Sequence, residues 1–220
     1  MAFKAPPKIL QKILRFNAIK FKEGKLLVVN VPGLLSPLYV NIYLQRLLEN
    51  DIGEKKAMNL LYNIGKFQGI QGLKITNNYF GYAKTIKNKR ELLIFSGDQS
   101  EVTGLGKFKW VLTDFNKNIF IVRGKCSIGE EYKRFFGIQK NAVDHFTRGQ
   151  AAAMVEGTIN QQVLAVETKC IATGNPYCEF VVKPIKIWDK KDVMACKQLV
   201  GELSSFKKLG AQMAPYLALA

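Results

Sequence analysis

Acidic residues are scarce in this chain, with 17 aspartates and glutamates against 33 lysines and arginines for a formal charge of +16, and there is a single histidine. No run approaches the ~18–20 consecutive apolar residues that a membrane span requires. The longest candidate, Val28 to Leu44, is broken by Pro32, Gly33 and Pro37. Met1 to Gln11 has lysines but no uninterrupted apolar region and no small-residue cleavage site, so no signal peptide is read and a cytoplasmic location is expected. Gly104-Leu-Gly106 lacks the third glycine of a dinucleotide fingerprint, and no nucleotide cofactor is expected. No Ser/His/Asp or Cys/His pairing gives the lone histidine a catalytic task, so the chain is not read as an enzyme. No helix-turn-helix precedes Arg90, and neither a repeat nor a low-complexity linker interrupts the chain.

What is present fits a folded domain. Hydrophobic residues make up 48% of the chain and aromatics 11%, enough for a sizeable core. The excess lysine is dispersed from Lys4 to Lys208 without an arginine-rich block. Two readings of this basic protein stay open, a solvated surface and a nucleic-acid footprint, with the first favoured. Of the four cysteines (Cys126, Cys170, Cys178 and Cys196), the close pair Cys170 and Cys178 suggests metal or redox chemistry in a reducing compartment.

Hydrophobic periodicity predicts a short helix or arm over residues 8–16, then a hairpin from Ala18 to Val31 around Lys22-Glu23-Gly24. A helix is expected from Pro37 to about Glu49 and a longer one from Glu54 to about Asn77. Gly65, Gly69 and Gly72 lower the stability of that second helix, which implies close approach of another element, either a packed helix or a ligand. Strands are expected at Glu91–Phe95, Phe108–Asp114 and Asn118–Arg123, and a short helix at Glu130–Phe136. An alanine-rich helix over Val143–Asn160 precedes a strand pair, Val163–Ile171 and Cys178–Val182, and a last helix runs from Lys190 to about Leu209. The expected class is α/β (α+β), an antiparallel sheet packed with helices. The parts are a hairpin-and-helix extension at 1–54, a main domain at 55–188 and a C-terminal helix at 189–220 on the same core.

The segment with the most chemistry is Asp144 to Gly149 followed by Val166 to Phe180. Cys170 and Cys178 fall on opposite arms of the predicted hairpin, so its turn brings their sulfurs together. Glu167 lies three residues before Cys170, on the opposite face of a regular strand, so a shared site needs a bulge. Two thiolates, a carboxylate and one further nitrogen or oxygen donor form a reasonable tetrahedral zinc shell. Two reduced structural thiols, or a labile disulfide, are the alternatives.

These motifs resemble the 4-vinyl-reductase family of small-molecule-binding domains. The family pattern is a helix of the form Cys-x-x-x-x-Gly, a strand with Glu-x-x-Cys, and a closing Gly-x-Pro-x-Cys-x-Phe. They correspond here to Asp144–Gly149, Glu167–Cys170 and Gly174–Phe180. Upstream, Gly104 to Gly106 with Trp110, and Val122 to Ser127, also look like the family, and the likeness covers about residues 55–183. The resemblance implies a fold like that of vesicle-trafficking-complex subunits, a homodimer, and a hydrophobic pocket for an apolar or aromatic (hydrocarbon-like) ligand. It also implies a zinc ion held by Glu167, Cys170, Cys178 and the residue at 144. The chain departs from the family there, having Asp144 in place of cysteine, and either Asp144 or its neighbour His145 is expected to complete the shell. Phe80, Trp110 and Phe146, with Tyr79 and Phe108 beside them, are candidates for the pocket wall.

The function expected is therefore a cytosolic sensor or carrier of a small apolar or aromatic molecule, with zinc in a structural role. The alternative is a nucleic-acid-associated or protein-interaction regulator that uses the basic surface. A tetrapyrrole vinyl reductase component, which the family name suggests, is the least favoured.

Overall fold

The computed structural model describes residues 19–28, 31–80, 89–189, 191–198 and 201, with the backbone alone for 75–80. The helix or arm expected over 8–16 and the side chains of Tyr79 and Phe80 lie outside the described residues. Among the described residues there are two antiparallel sheets and six α-helices, the α+β class expected.

A small sheet comes first: β1 (Ile19–Lys22), β2 (Lys25–Val28) and β3 (Val31–Gly33). Glu23 and Gly24 take φ of 51° and 74° at the β1–β2 turn, and two left-handed residues match the twist of a tight hairpin. Helix α1 (Leu38–Ile52) starts after Pro37, which occupies the cap position, and stops at Gly53 with φ 85°. Helix α2 (Glu54–Phe80) follows at once. Helix α3 (Lys89–Val102) replaces the strand expected at Glu91–Phe95. A five-residue apolar run does not distinguish a strand from a buried helix segment. The burial of Leu93, Ser96 and Gly97, three and four residues apart, shows the helical period instead.

The main sheet contains β4 (Gly106–Asp114), β5 (Ile119–Cys126), β6 (Val163–Lys169) and β7 (Cys178–Pro184) in the order β4-β5-β7-β6. The Asp114 carboxylate closes the β4–β5 turn by accepting the Asn116 and Lys117 N–H groups at 3.0 and 2.9 Å. Helix α4 (Ser127–Phe136) follows β5 directly, and α5 (His145–Ile159) follows a loop. Helix α6 (Val193–Lys197) is short, ending at Gln198, and the Asp192 carboxylate caps its start by accepting the Ala195 N–H. The helix expected from Lys190 to about Leu209 is thus not helical at Lys191, Asp192, Gln198 or Gly201, and its remaining positions lie outside the described residues.

Helix α5 is the centre of the molecule, buried on several sides between α2 and the sheet. The glycines explain how close the two helices come. A Cβ on Gly65 would lie 2.0 Å from the Phe146 carbonyl oxygen, and one on Gly149 would lie 2.1 Å from the Tyr62 carbonyl oxygen. The glycine-rich stretch of α2 therefore serves helix packing at Gly65, the first of the two readings taken from sequence.

Strand β6 ends the sheet order, yet Val163 to Glu167 are all buried. Buried backbone groups on an edge need partners. Side chains supply several. The Gln198 amide both donates to the Glu167 carbonyl and accepts its N–H, each at 2.8 Å. Arg148 donates to the Ala165 carbonyl at 3.1 Å, Trp188 Nε1 donates to the Leu164 carbonyl at 3.2 Å, and the Tyr62 hydroxyl accepts the Ala165 N–H at 3.4 Å.

A buried polar cluster and an apolar cavity

The strand pair β6–β7 keeps regular register from Val163↔Pro184 to Glu167↔Phe180, then slips, so that Lys169 faces Glu179. That irregularity is the bend that the Glu167–Cys170 spacing demands. Beyond it a 3₁₀ turn, Ile171–Thr173, ends at Gly174 with φ 91° and returns the chain to Cys178. The Ile171 N–H points at Cys178 Sγ, 3.3 Å away. Asp144 occupies the cap position of α5 and is fully buried. Its carboxyl lies against the first turn of α4, where a Cβ on Gly129 would meet its oxygens at 2.9 and 3.1 Å.

Asp144, Glu167, Cys170 and Cys178 thus converge, with one ligand atom from each within 4.8 Å of the others and all four residues buried. Cys178 Sγ lies 2.8 Å and Cys170 Sγ 3.8 Å from Asp144 Oδ2, and Glu167 Oε2 accepts the Asp144 backbone N–H at 3.1 Å. Asp144 Oδ1 and Glu167 Oε1 are buried without a hydrogen-bond partner among the described residues. Burial pushes the carboxyl of Asp144 up from its ordinary value, and burial together with the Asp144 charge pushes Glu167 well up. The Cys170 thiol is held below its ordinary value, chiefly by a hydrogen bond with Cys178, whose own thiol is pushed up by Cys126, Cys170 and burial. A buried Asp/Glu/Cys cluster with two unsatisfied oxygens has the donor types and spacing that hold a metal ion.

His145 is not one of the four. It is buried beside them, its Nδ1 has no hydrogen-bond partner among the described residues, and burial and the Arg148 charge push its pKa down to about 3. Arg148, one turn on, is fully buried with its guanidinium 4.7 Å from the Tyr62 ring centre, and burial lowers its pKa to about 10. On the outer side, Glu167, Cys170 and His145 line a cleft of about 660 Å³ together with Arg46, Lys140 and Lys197.

A second site lies further along α5. Ala151 and Met154 face Phe108, Trp110 and Phe180 of the sheet and Gly69 of α2 across a cavity of about 160 Å³. Its polar lining includes Ser96, Thr147 and Gln150, and no ionisable side chain among the described residues lines it. Trp110 Nε1 donates to Ser96 Oγ at 3.2 Å, and Ser96 Oγ donates to the Leu93 carbonyl at 2.6 Å. Of the expected wall residues, Trp110 and Phe108 line the cavity, and Gly69 and Gly72 do as well. Phe146 is packed against the hydrophobic core instead, outside this lining. Its carbonyl lies against Gly65 of α2.

Sequence reasoning missed Arg148 and Gln198 beside the cluster, and Ser96 and Met154 at the cavity. Arg148 had a signal, since it stands four residues after Asp144 and so on the same helix face. The others are brought in by tertiary pairing alone.

No family model matches the chain. A stretch of 39 residues is 49% identical to an uncharacterized protein of Methanocaldococcus jannaschii, and it spans 18% of this chain and 22% of that relative. Among solved structures, the chain is similar to the phenol-responsive sensory domain of the transcription activator PoxR, with a TM-score of 0.73, 17% identity, and coverage of 90% of this chain and 100% of that one. A vinyl-4-reductase family protein from Methanocaldococcus jannaschii aligns at a TM-score of 0.46 and 17% identity, over 84% of this chain and 99% of that one. The chain therefore shares the fold of that domain. No described helix is long and apolar enough to cross a membrane.

Proposed function

We propose that this protein is a binding module, a sensor or carrier for a small, neutral and largely apolar or aromatic molecule. The observation that carries the reading is the cavity of about 160 Å³ walled by Phe108, Trp110, Phe180 and Met154, with no ionisable group lining it among the described residues. Cavities of about 150 Å³ lined by apolar side chains hold a benzene-sized ring. A carboxylate or ammonium ligand would lose its hydration there without a counter-charge. The same lack favours binding over acid–base chemistry, since no proton donor or acceptor of suitable strength faces the space among the described residues. The likeness in fold to a phenol-responsive sensory domain supports the aromatic ligand class.

The Asp144, Glu167, Cys170 and Cys178 cluster is read as a structural metal site, with zinc the fitting ion. The thiolate pair selects zinc-like ions, and four protein donors leave no position open for water. When bound, the ion would neutralise the buried carboxylates and thiolates and tie α5 to the β6–β7 hairpin. A homodimer is the expected assembly, and the exposed apolar stripe of Tyr39, Tyr43, Leu44 and Leu47 on α1 is consistent with one.

The test is thermal denaturation with a ligand series. Phenol, toluene and benzene should raise the midpoint, since a ligand at about 100 times its Kd stabilises by about 2.7 kcal/mol. Benzoate and benzylammonium should not. Equal shifts with the charged compounds, or none with any neutral ring, would sink the reading. Protein purified without added zinc should carry about one equivalent of metal per chain. Metal well below that, with no loss of structure on chelation, would remove the metal part.

A further inference from the structure

The cleft of about 660 Å³ outside the cluster has a chemistry opposite to that of the cavity, and its size is that of a small-molecule site. Five cationic side chains among the described residues line it, Arg46, Lys55, Lys140, Lys169 and Lys197, against three carboxylates, Glu49, Glu54 and Glu167. The carboxylates are already engaged. Glu49 accepts from Gln45 at 3.0 Å, from Arg46 at 3.2 Å and from the Tyr132 hydroxyl, and Glu54 accepts from Asn141 at 3.1 Å. Glu167 is fully buried and accepts the Asp144 N–H. The cations are less well compensated. Lys169 donates to the neutral Tyr177 hydroxyl at 2.8 Å, and Lys55, Lys140 and Lys197 form no ion pair among the described residues. Those three ammonium groups come from three different walls: the first turn of α2, the loop before α5, and the end of α6. His145 lines the same cleft at 8% exposure, and its Nδ1 has no partner among the described residues. A cleft lined mainly by one sign of charge concentrates the opposite sign within it.

We propose that this cleft binds a small phosphorylated molecule, with the phosphoryl group held by Lys55, Lys140 and Lys197 and the rest of the ligand against Met58, Met194 and the His145 ring. A phosphate monoester fits three converging ammonium groups better than a lone carboxylate does. It carries up to about two negative charges and three acceptor oxygens, and lysine binds phosphate as a point charge. The ligand also reaches the imidazole whose Nδ1 the protein leaves unpaired. The site goes beyond the ring-binding reading and does not depend on it, since the cleft and the cavity share no described lining residue.

The test is titration calorimetry of the full chain with inorganic phosphate and with glycerol phosphate, at fixed ionic strength. Saturable binding of about one glycerol phosphate per chain is expected, with inorganic phosphate competing for the same site. Lys55, Lys140 and Lys197 are all exposed, so their substitution leaves the fold intact. Lys140→Gln combined with Lys197→Gln should weaken binding by at least about tenfold with an unchanged melting midpoint. Lys25→Gln combined with Lys117→Gln, which removes two exposed lysines outside the cleft, should leave binding unchanged. Absence of saturable binding with both probes overturns the proposal, as does full affinity in the Lys140/Lys197 variant. An equal loss in the Lys25/Lys117 variant also overturns it, because attraction to the basic surface at large would then account for the binding.

Discussion

In its first turn α5 meets two carboxyls and two thiols packed within 4.8 Å of one another, whereas two turns later the same helix borders a cavity with Ala151 and Met154 where no described side chain is ionisable. The cluster is defined by groups that must find partners, and the cavity by atoms that are missing. Substitution therefore acts on the two in opposite ways. Removing a cluster residue strands its neighbours in a low dielectric, so stability falls. Changing the cavity wall alters the volume left for a guest, and the fold absorbs the change more easily.

The largest effect should come from the cluster. Cys178→Ala removes a proposed metal ligand and the thiol 2.8 Å from Asp144, and should cost about 3–5 kcal/mol in chemical denaturation, with loss of bound metal. A cost below about 1 kcal/mol with metal retained would erase the contrast between the two sites. Gly149→Ala places a Cβ 2.1 Å from the Tyr62 carbonyl and should cost about 1–3 kcal/mol, as overpacking does. Unchanged stability would show that α2 and α5 separate readily. At the cavity, Ala151→Leu should reduce affinity for a neutral aromatic more than tenfold while shifting stability by less than about 1.5 kcal/mol, read by calorimetry and denaturation together. Undiminished binding would place the ligand elsewhere.

A smaller effect comes from α2, which packs along α5. Burial raises the Tyr62 pKa from 10.0 to about 12. Its stabilising contribution is complete below the unfolded value and is lost as pH rises from about 10 through 12, because the unfolded chain releases the proton first. Tyr62→Phe should flatten that alkaline decline, and an identical decline in the variant would assign it to other groups. The smallest response is expected from the basic surface. Duplex DNA should bind weakly or not at all at moderate salt, and tight binding with a steep salt slope would favour the nucleic-acid alternative.

The β6–β7 hairpin was legible because its information is local. The Gly174-Asn175-Pro176 turn, the two cysteines and the three-residue offset of Glu167 are all within fifteen residues or so of sequence, and the offset itself demanded the register slip found after Glu167. Asp144 was legible through its motif. Gln198 was not, since it stands 31 residues beyond Glu167 and meets it only through tertiary pairing. The cavity resisted for the same reason: Ser96 of α3, Trp110 of β4 and Met154 of α5 share no spacing rule. Helix α3 was misread because Glu91 to Phe95 carries strand-like residues, and only the longer burial period through Gly97 reveals the helix.

Gln198 turns the C-terminal segment into a fastener. Its amide is paired with both backbone groups of Glu167, and its own carbonyl accepts Arg148 Nη1 at 2.8 Å. One residue near the C-terminal end of the described chain thus clasps the strand that carries the cluster carboxylate and the helix that lines the cavity. A chain cut before Gln198 loses at once the three hydrogen bonds that tie this segment to Glu167 and Arg148.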